Sequence, residues 1–138
     1  MDWKFENLVV PVSDVDRAKA FYIDKAGFNL DVDHSAGEDF RVVQLTPPGS
    51  ACSISIMRNA EAAGCVQSLH LVVSDIELAR AELVERGVDA SEIFHFEEGR
   101  QVPGPAAQRL RLVPLVQRPG RQWLASPGGQ ANGGGSMY

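Results

Sequence analysis

Three histidines, His34, His70 and His95, are the side chains of this chain best suited to move a proton near neutral pH, because the unperturbed imidazole titrates there. His70 lies in an apolar run, Leu69-His70-Leu71-Val72-Val73, where two readings stand side by side. It can donate to a ligand or shuttle a proton, or it can be a core histidine hydrogen-bonded to a neighbouring strand. His95 follows Phe94 and reads as a group at the rim of a cavity, while His34 reads as a strand-end group in solvent. Cys52 and Cys65 lack metal-site spacing and are expected to be free thiols. Asp14 and Asp75 stand just before apolar helical patterns, so helix capping is expected of them rather than catalysis. Glu97-Glu98-Gly99-Arg100 reads as a solvated turn. The glycine runs near the C-terminus neither follow a strand nor open a helix, which excludes a phosphate loop.

The elements that must position these groups come in a repeat. Residues 5–13 read as a strand, Ser13 or Asp14 as a cap, and Val15, Ala18, Phe21 and Tyr22 as the apolar stripe of a helix over 15–26 closed by Gly27. Strands follow at about 28–34, 39–46 and 51–58, separated by Ser35-Ala36-Gly37 and by Pro47-Pro48-Gly49-Ser50. The pattern then restarts. Ser68-Leu69-His70-Leu71-Val72-Val73-Ser74-Asp75 repeats Asn7-Leu8-Val9-Val10-Pro11-Val12-Ser13-Asp14 at an offset of 61 residues. A second helix is expected at about 76–86, with Ile76, Ala79, Leu83 and Val84 on one face and Gly87 at its end, and a strand at about 90–96. A strand, a cap, a helix and a glycine recurring in order are stronger evidence than any one segment.

Composition narrows the function. The 138 residues suit one domain, and 44% apolar with 22% charged residues is an ordinary globular balance. A net charge of −5 argues against a nucleic-acid partner. No apolar run approaches membrane-spanning length, and the N-terminus lacks the basic start and apolar stretch of a signal peptide. A cytoplasmic protein with no membrane partner is expected.

The run Leu-Val-Val-Pro-Val-Ser-Asp-Val-Asp-Arg-Ala-Lys-Ala-Phe-Tyr at 8–22, followed by Gly27-Phe28, resembles the opening of the vicinal oxygen chelate superfamily, which includes glyoxalase I, extradiol dioxygenases and bleomycin-resistance proteins. The resemblance covers residues 5–105. It implies an α+β fold in which two βαβββ modules curl mixed sheets around a shared cavity, often completed by a homodimer partner. Module one is then about 5–59 and module two starts near 67. Metal-dependent relatives hold a divalent ion with one ligand from each of four strands. In this chain the resemblance puts Asn7 and Ser68 at the first two positions, finds no carboxylate in the strand Cys52–Met57, and finds no closing-strand Glu. No metal and no cofactor are therefore expected. A metal-free small-molecule-binding protein of the glyoxalase/bleomycin-resistance type follows, with Asn7, Val9, Ser55, His70 and His95 as candidate ligand-binding residues and His70 as the one catalytic candidate. A glyoxalase-like lyase or isomerase, or a dioxygenase-related enzyme, acting on a small oxygenated metabolite is the second reading. A folded remnant without selected activity is the third.

The second module is expected to be incomplete or altered, because composition changes abruptly near Pro105. Nine basic and eighteen acidic residues precede that point, whereas residues 106–138 carry four arginines (109, 111, 118, 121), no lysine and no acid. Relatives close with a segment like Phe-Ser-Asp-Pro-Asp-Gly-Asn-Gly-Trp. Written in ordinary codons and read one nucleotide earlier, that segment spells Val-Gln-Arg-Pro-Gly-Arg-Gln-Trp-Leu, which is residues 116–124. The tail thus reads as a shifted frame, a natural basic tail being the other reading. Residues 127–138 have little to bury and are expected to be mobile.

Overall fold

The computed structural model describes residues 1–66 and 69–105, and the backbone of 111–115. In chain order the elements are β1 (Asn7–Val12), α1 (Val15–Ala20) running on into a π-helical turn (Phe21–Lys25), β2 (Asn29–Ala36), β3 (Phe40–Thr46), β4 (Ser53–Arg58), β5 (Leu69–Val73), α2 (Ile76–Glu85), β6 (Phe94–Glu97), β7 (Arg100–Pro103) and β8 (Arg111–Leu115). The expectations for residues 127–138 and for the residue at position 68 lie outside the described residues.

Both repeats start the same way for the same reason. A helix leaves its first N–H groups without internal partners, and a short carboxylate just before it can accept from them. The Asp14 carboxylate accepts from the Arg17 N–H at 3.0 Å, and the Asp75 carboxylate accepts from the Leu78 N–H at 3.0 Å. Asp14→Ala and Asp75→Ala are each expected to lower stability by about 0.5–2 kcal/mol, read as a shift of the urea midpoint at unchanged slope. Both helices also end on glycines in the left-handed region, Gly27 at φ 77° and Gly87 at φ 80°, where a side chain is strained. The cap-to-glycine interval is one residue longer in the first repeat than in the second, Asp14 to Gly27 against Asp75 to Gly87. The π turn at Phe21–Lys25 is where the first helix accommodates that residue.

The two helix ends meet. The Lys25 ammonium donates to the Gly87 carbonyl at 3.3 Å, while the Arg86 guanidinium lies so close over Gly27 that a Cβ there would fall 2.5 Å from one of its nitrogens. Each helix terminus thus receives a cation from the other repeat, the sign its unpaired carbonyls favour.

Module one is a mixed sheet in the order β1-β4-β3-β2, with β1 parallel to β4 and the other pairs antiparallel. Alternation divides its side chains between two faces. Val10, Val12, Val43, Leu45, Ile54 and Ile56 form one face and pack with Val15, Ala18, Phe21, Tyr22, Phe28 and Val88 as the core. Tyr22 sits at its centre, with ring centroids 5.5 Å from Phe21 and 5.2 Å from Phe28. At the margin of this face Arg41 joins Asp33 at 2.9 Å and Asp16 at 2.7 Å, and Lys19 joins Asp33 at 2.7 Å. Hydrogen bonds from Arg41 and Lys19 hold the Asp33 carboxyl well below the usual carboxylate range.

Module two departs from the repeat. Its first strand and helix follow module one, with Leu69, Leu71 and Leu83 packed against the same core. No residue of α2 is fully buried, however, whereas α1 buries Val15 and Ala18. Val84 was expected on the buried stripe and is instead 47% exposed. One residue further round than Leu83, it is turned about 100° away from the core. The strand expected at 90–96 is regular only from Phe94, and it closes a hairpin with β7 through Glu98 and Gly99, both at positive φ. The strand β8 pairs with β5 antiparallel, where β4 lies parallel to β1. The second module is therefore altered at its closing strand. Pro114 falls within β8 and is tolerated there because among the described residues that sheet has two strands only, so each has an open edge. No helix among the described residues is long and apolar enough to cross a membrane.

Candidate functional site

The face of the first sheet turned away from α1, here termed the far face, carries the module-one candidates. Register places Asn7, Val9 and Pro11 of β1 beside Ser53, Ser55 and Met57 of β4. Gln44 and Val42 of β3 lie beside Ser55 and Met57, and Val32 and His34 of β2 lie beside Gln44 and Val42. The structure thus brings Asn7, Val9 and Ser55 together. The buried Ser55 hydroxyl donates to Asn7 Oδ1 at 3.1 Å, and Val9, 55% exposed, stands in register with Ser55.

Three more polar side chains, Ser53, Thr46 and Asp31, continue the row, and the sequence reading did not select them. Thr46 Oγ1 lies 2.7 Å from Ser53 Oγ and donates to the Asp31 carboxylate. The alternation Val42-Val43-Gln44-Leu45-Thr46 did signal that Gln44 and Thr46 share a face opposite Val43 and Leu45. Asp31 carried no such signal. A register shift between Leu30 and Val32 lets its side chain reach the row, and a bulge re-aims a side chain in a way that simple alternation does not reveal.

His70 is exposed on β5, which rules out its reading as a core histidine. Leu69 and Leu71 face the core, so His70 and the exposed Val72 point the other way. His70 holds in the second repeat the place that Val9 holds in the first. His95 is largely enclosed by its own hairpin, with Nδ1 at 2.8 Å from the Gly104 carbonyl and Nε2 at 2.9 Å from the Glu97 carboxylate. His34 was expected at a strand end and instead lies within β2, its ring edge-on to Phe40 at 6.5 Å. Trp3 and Phe5 are exposed ahead of β1. Cys52 and Cys65 are free thiols. An open depression of about 650 Å³ on the β6–β7 hairpin gathers Glu97, Glu98, Arg100 and Val102 but none of the candidate residues.

A divalent ion needs converging carboxylate, imidazole or thiolate donors. At the first of the ligand positions that the resemblance implies, this chain offers the Asn7 amide, whose oxygen already accepts from the Ser55 hydroxyl. Among the described residues no three His, Cys, Asp or Glu side chains come together. The donors among the described residues do not fit a resident metal.

No protein-family model matches the sequence, and no curated protein matches it. Solved structures do. TnmS3, an antibiotic binding protein from Streptomyces sp. CB03234, is 30% identical over 65% of this chain and 75% of its own, with a TM-score of 0.56. A glyoxalase/bleomycin resistance protein from the same Streptomyces strain is 26% identical over 88% of this chain and 96% of its own, with a TM-score of 0.62. A member of the glyoxalase/bleomycin resistance protein/dioxygenase superfamily from Sphaerobacter thermophilus DSM 20745, 21% identical over 85% of this chain and 98% of its own with a TM-score of 0.56, shares the fold. With the repeated capped helices, the mixed sheet and these likenesses together, the chain belongs to the glyoxalase/bleomycin resistance/dioxygenase superfamily.

Proposed function

We propose that the chain binds a small organic molecule on the far face of the first sheet, without a metal, in the manner of an antibiotic-sequestering protein. The observation that carries this reading is the row of hydrogen-bonded polar side chains, Asn7–Ser55 and Ser53–Thr46–Asp31, set beside the exposed apolar Val9 and Val32. Ligand sites combine apolar contact area with a few placed polar groups in this way. The antibiotic-binding relative supports the same reading. Asn7, Val9 and Ser55 are the contacts of module one, and His70, at the place of Val9 in the repeat, is that of module two. His95 contributes from the hairpin. The exposed imidazole of His70 also favours a second reading, a glyoxalase-like lyase or isomerase in which His70 moves the proton; loss of turnover without loss of binding in His70→Ala separates the two.

The test is a thermal-shift panel of hydroxylated aromatic and glycosylated antibiotics, run with and without a chelator. At least one compound is expected to stabilise the chain, by about 2.7 kcal/mol at a hundredfold excess over its dissociation constant, with no effect of the chelator. Val9→Trp, which fills the face, should abolish the shift. A panel without a stabilising member, or shifts that Val9→Trp leaves intact, would overturn the reading.

Pairing of two copies belongs to the proposal. Among the described residues β1 lies at the margin of its sheet and the exposed Trp3 and Phe5 precede it, so a sheet margin and apolar surface lie together. Light scattering at micromolar concentration is expected to give the mass of a dimer; a monodisperse monomer would count against it.

A further inference from the structure

We propose that Asp31 sets the hydrogen-bond polarity of the far face, so that the site selects a ligand carrying ammonium or hydroxyl donors toward Asp31 and rejects one carrying a carboxylate there. The inference rests on the binding reading above and goes on to the chemical class of ligand.

Thr46 has one hydroxyl proton, and an ionised carboxylate can only accept. Thr46 therefore gives that proton to Asp31. Its oxygen also lies 2.7 Å from Ser53 Oγ, a pair in which either atom could donate on geometry alone. With the Thr46 proton committed to Asp31, Ser53 must be the donor. The order of the row is thus fixed as Ser53 to Thr46 to Asp31, and each hydroxyl has spent its proton. Ser55 has spent its own on Asn7 Oδ1. What remains toward a ligand is lone pairs and carboxylate oxygen along the row, with the Asn7 amide N–H groups as the donors at its β1 end.

Two further observations bear on Asp31. It reaches the row through the bulge between Leu30 and Val32, an irregularity that regular pairing would not need. Its charge is also left uncompensated, since no ion pair among the described residues includes it. Asp33, two residues along, is held by both Lys19 and Arg41. A donor-bearing cation can supply the compensation Asp31 lacks, and charge-assisted hydrogen bonds are the stronger kind. An anion there meets a like charge and a row of acceptors. The exposed Val32 beside Gln44 offers apolar area for the body of such a ligand.

The test uses two fragments sharing a phenyl body and differing in one end group, phenethylamine and phenylacetate, titrated into the full chain and followed by backbone amide shifts of Asn7, Thr46, Ser53 and Ser55. Phenethylamine is expected to bind about tenfold more tightly, the equivalent of about 1.4 kcal/mol. Asp31→Asn, which keeps the shape and lets the side chain donate to Thr46, should bring the two fragments within about twofold. Thr46→Ser keeps the relay and should keep the preference. Equal or tighter binding of the carboxylate in the parent chain would overturn the proposal, as would a preference that survives Asp31→Asn, and either result would leave the far face standing as a binding face. If neither fragment perturbs these four amides, the binding face itself is refuted and the proposal falls with it.

Discussion

Tyr22→Ala is expected to lower the unfolding free energy by about 3–5 kcal/mol, the range for removing a large buried aromatic. Tyr22 is fully buried between Phe21 and Phe28 and lies where the end of the first helix meets the sheet. Burial raises its hydroxyl far above the ordinary tyrosine range, so the loss should be constant below about pH 10 and shrink above it, where only the unfolded chain ionises. Marginal stabilities of 5–15 kcal/mol are typical, so the variant is expected to be part-unfolded at 37 °C. Phe40→Ala makes the control, because Phe40 is 44% exposed and its loss should move the urea midpoint little. Comparable shifts for the two variants would mean that the core does not centre on Tyr22.

The second large effect is expected from the reading frame after Pro105. Shifting that frame so that the closing segment regains the aromatic residues of relatives should raise stability by several kcal/mol, at about 1.5–3 kcal/mol for each large side chain newly buried. The reason lies in module two as it stands. The helix α2 buries no residue fully, and β5 has for its partner a strand running opposite to the direction that the first module uses. A closing strand parallel to β5 would give α2 the kind of floor that β4 and β3 give α1. The comparison is between the urea midpoints of the parent and frame-shifted chains. Equal midpoints would leave the shifted-frame idea without structural consequence.

The repeat was legible because its signals are local. Asp14 and Asp75 stand where a free helix end needs an acceptor, Gly27 and Gly87 where the chain must turn to positive φ, and alternation separated Val43 and Leu45 from Gln44 and Thr46. What escaped was set by pairing between distant segments. A strand pattern carries no direction, so the antiparallel pairing of β8 could not be read from Leu112 and Val113. The apolar spacing of Val15, Ala18, Phe21 and Tyr22 suits a helix throughout and does not mark where α gives way to π. The candidate site was half visible. Asn7, Val9 and Ser55 were selected and do share a face, whereas Asp31 joins them only through a bulge that the sequence does not announce.

The crossed cations at the helix ends have a consequence for how the chain can be divided. Lys25 serves the Gly87 carbonyl and Arg86 covers Gly27, so each half of the repeat holds the terminating charge of the other. A half expressed alone would lose its counter-ion and, with Leu69, Leu71 and Val88 seated in the first module's core, part of its apolar partner as well. Two fragments cut in the turn around residues 59–64 should therefore be poor folders apart and should reconstitute one another on mixing, as complementary pieces rather than as two independent copies of an ancestral unit.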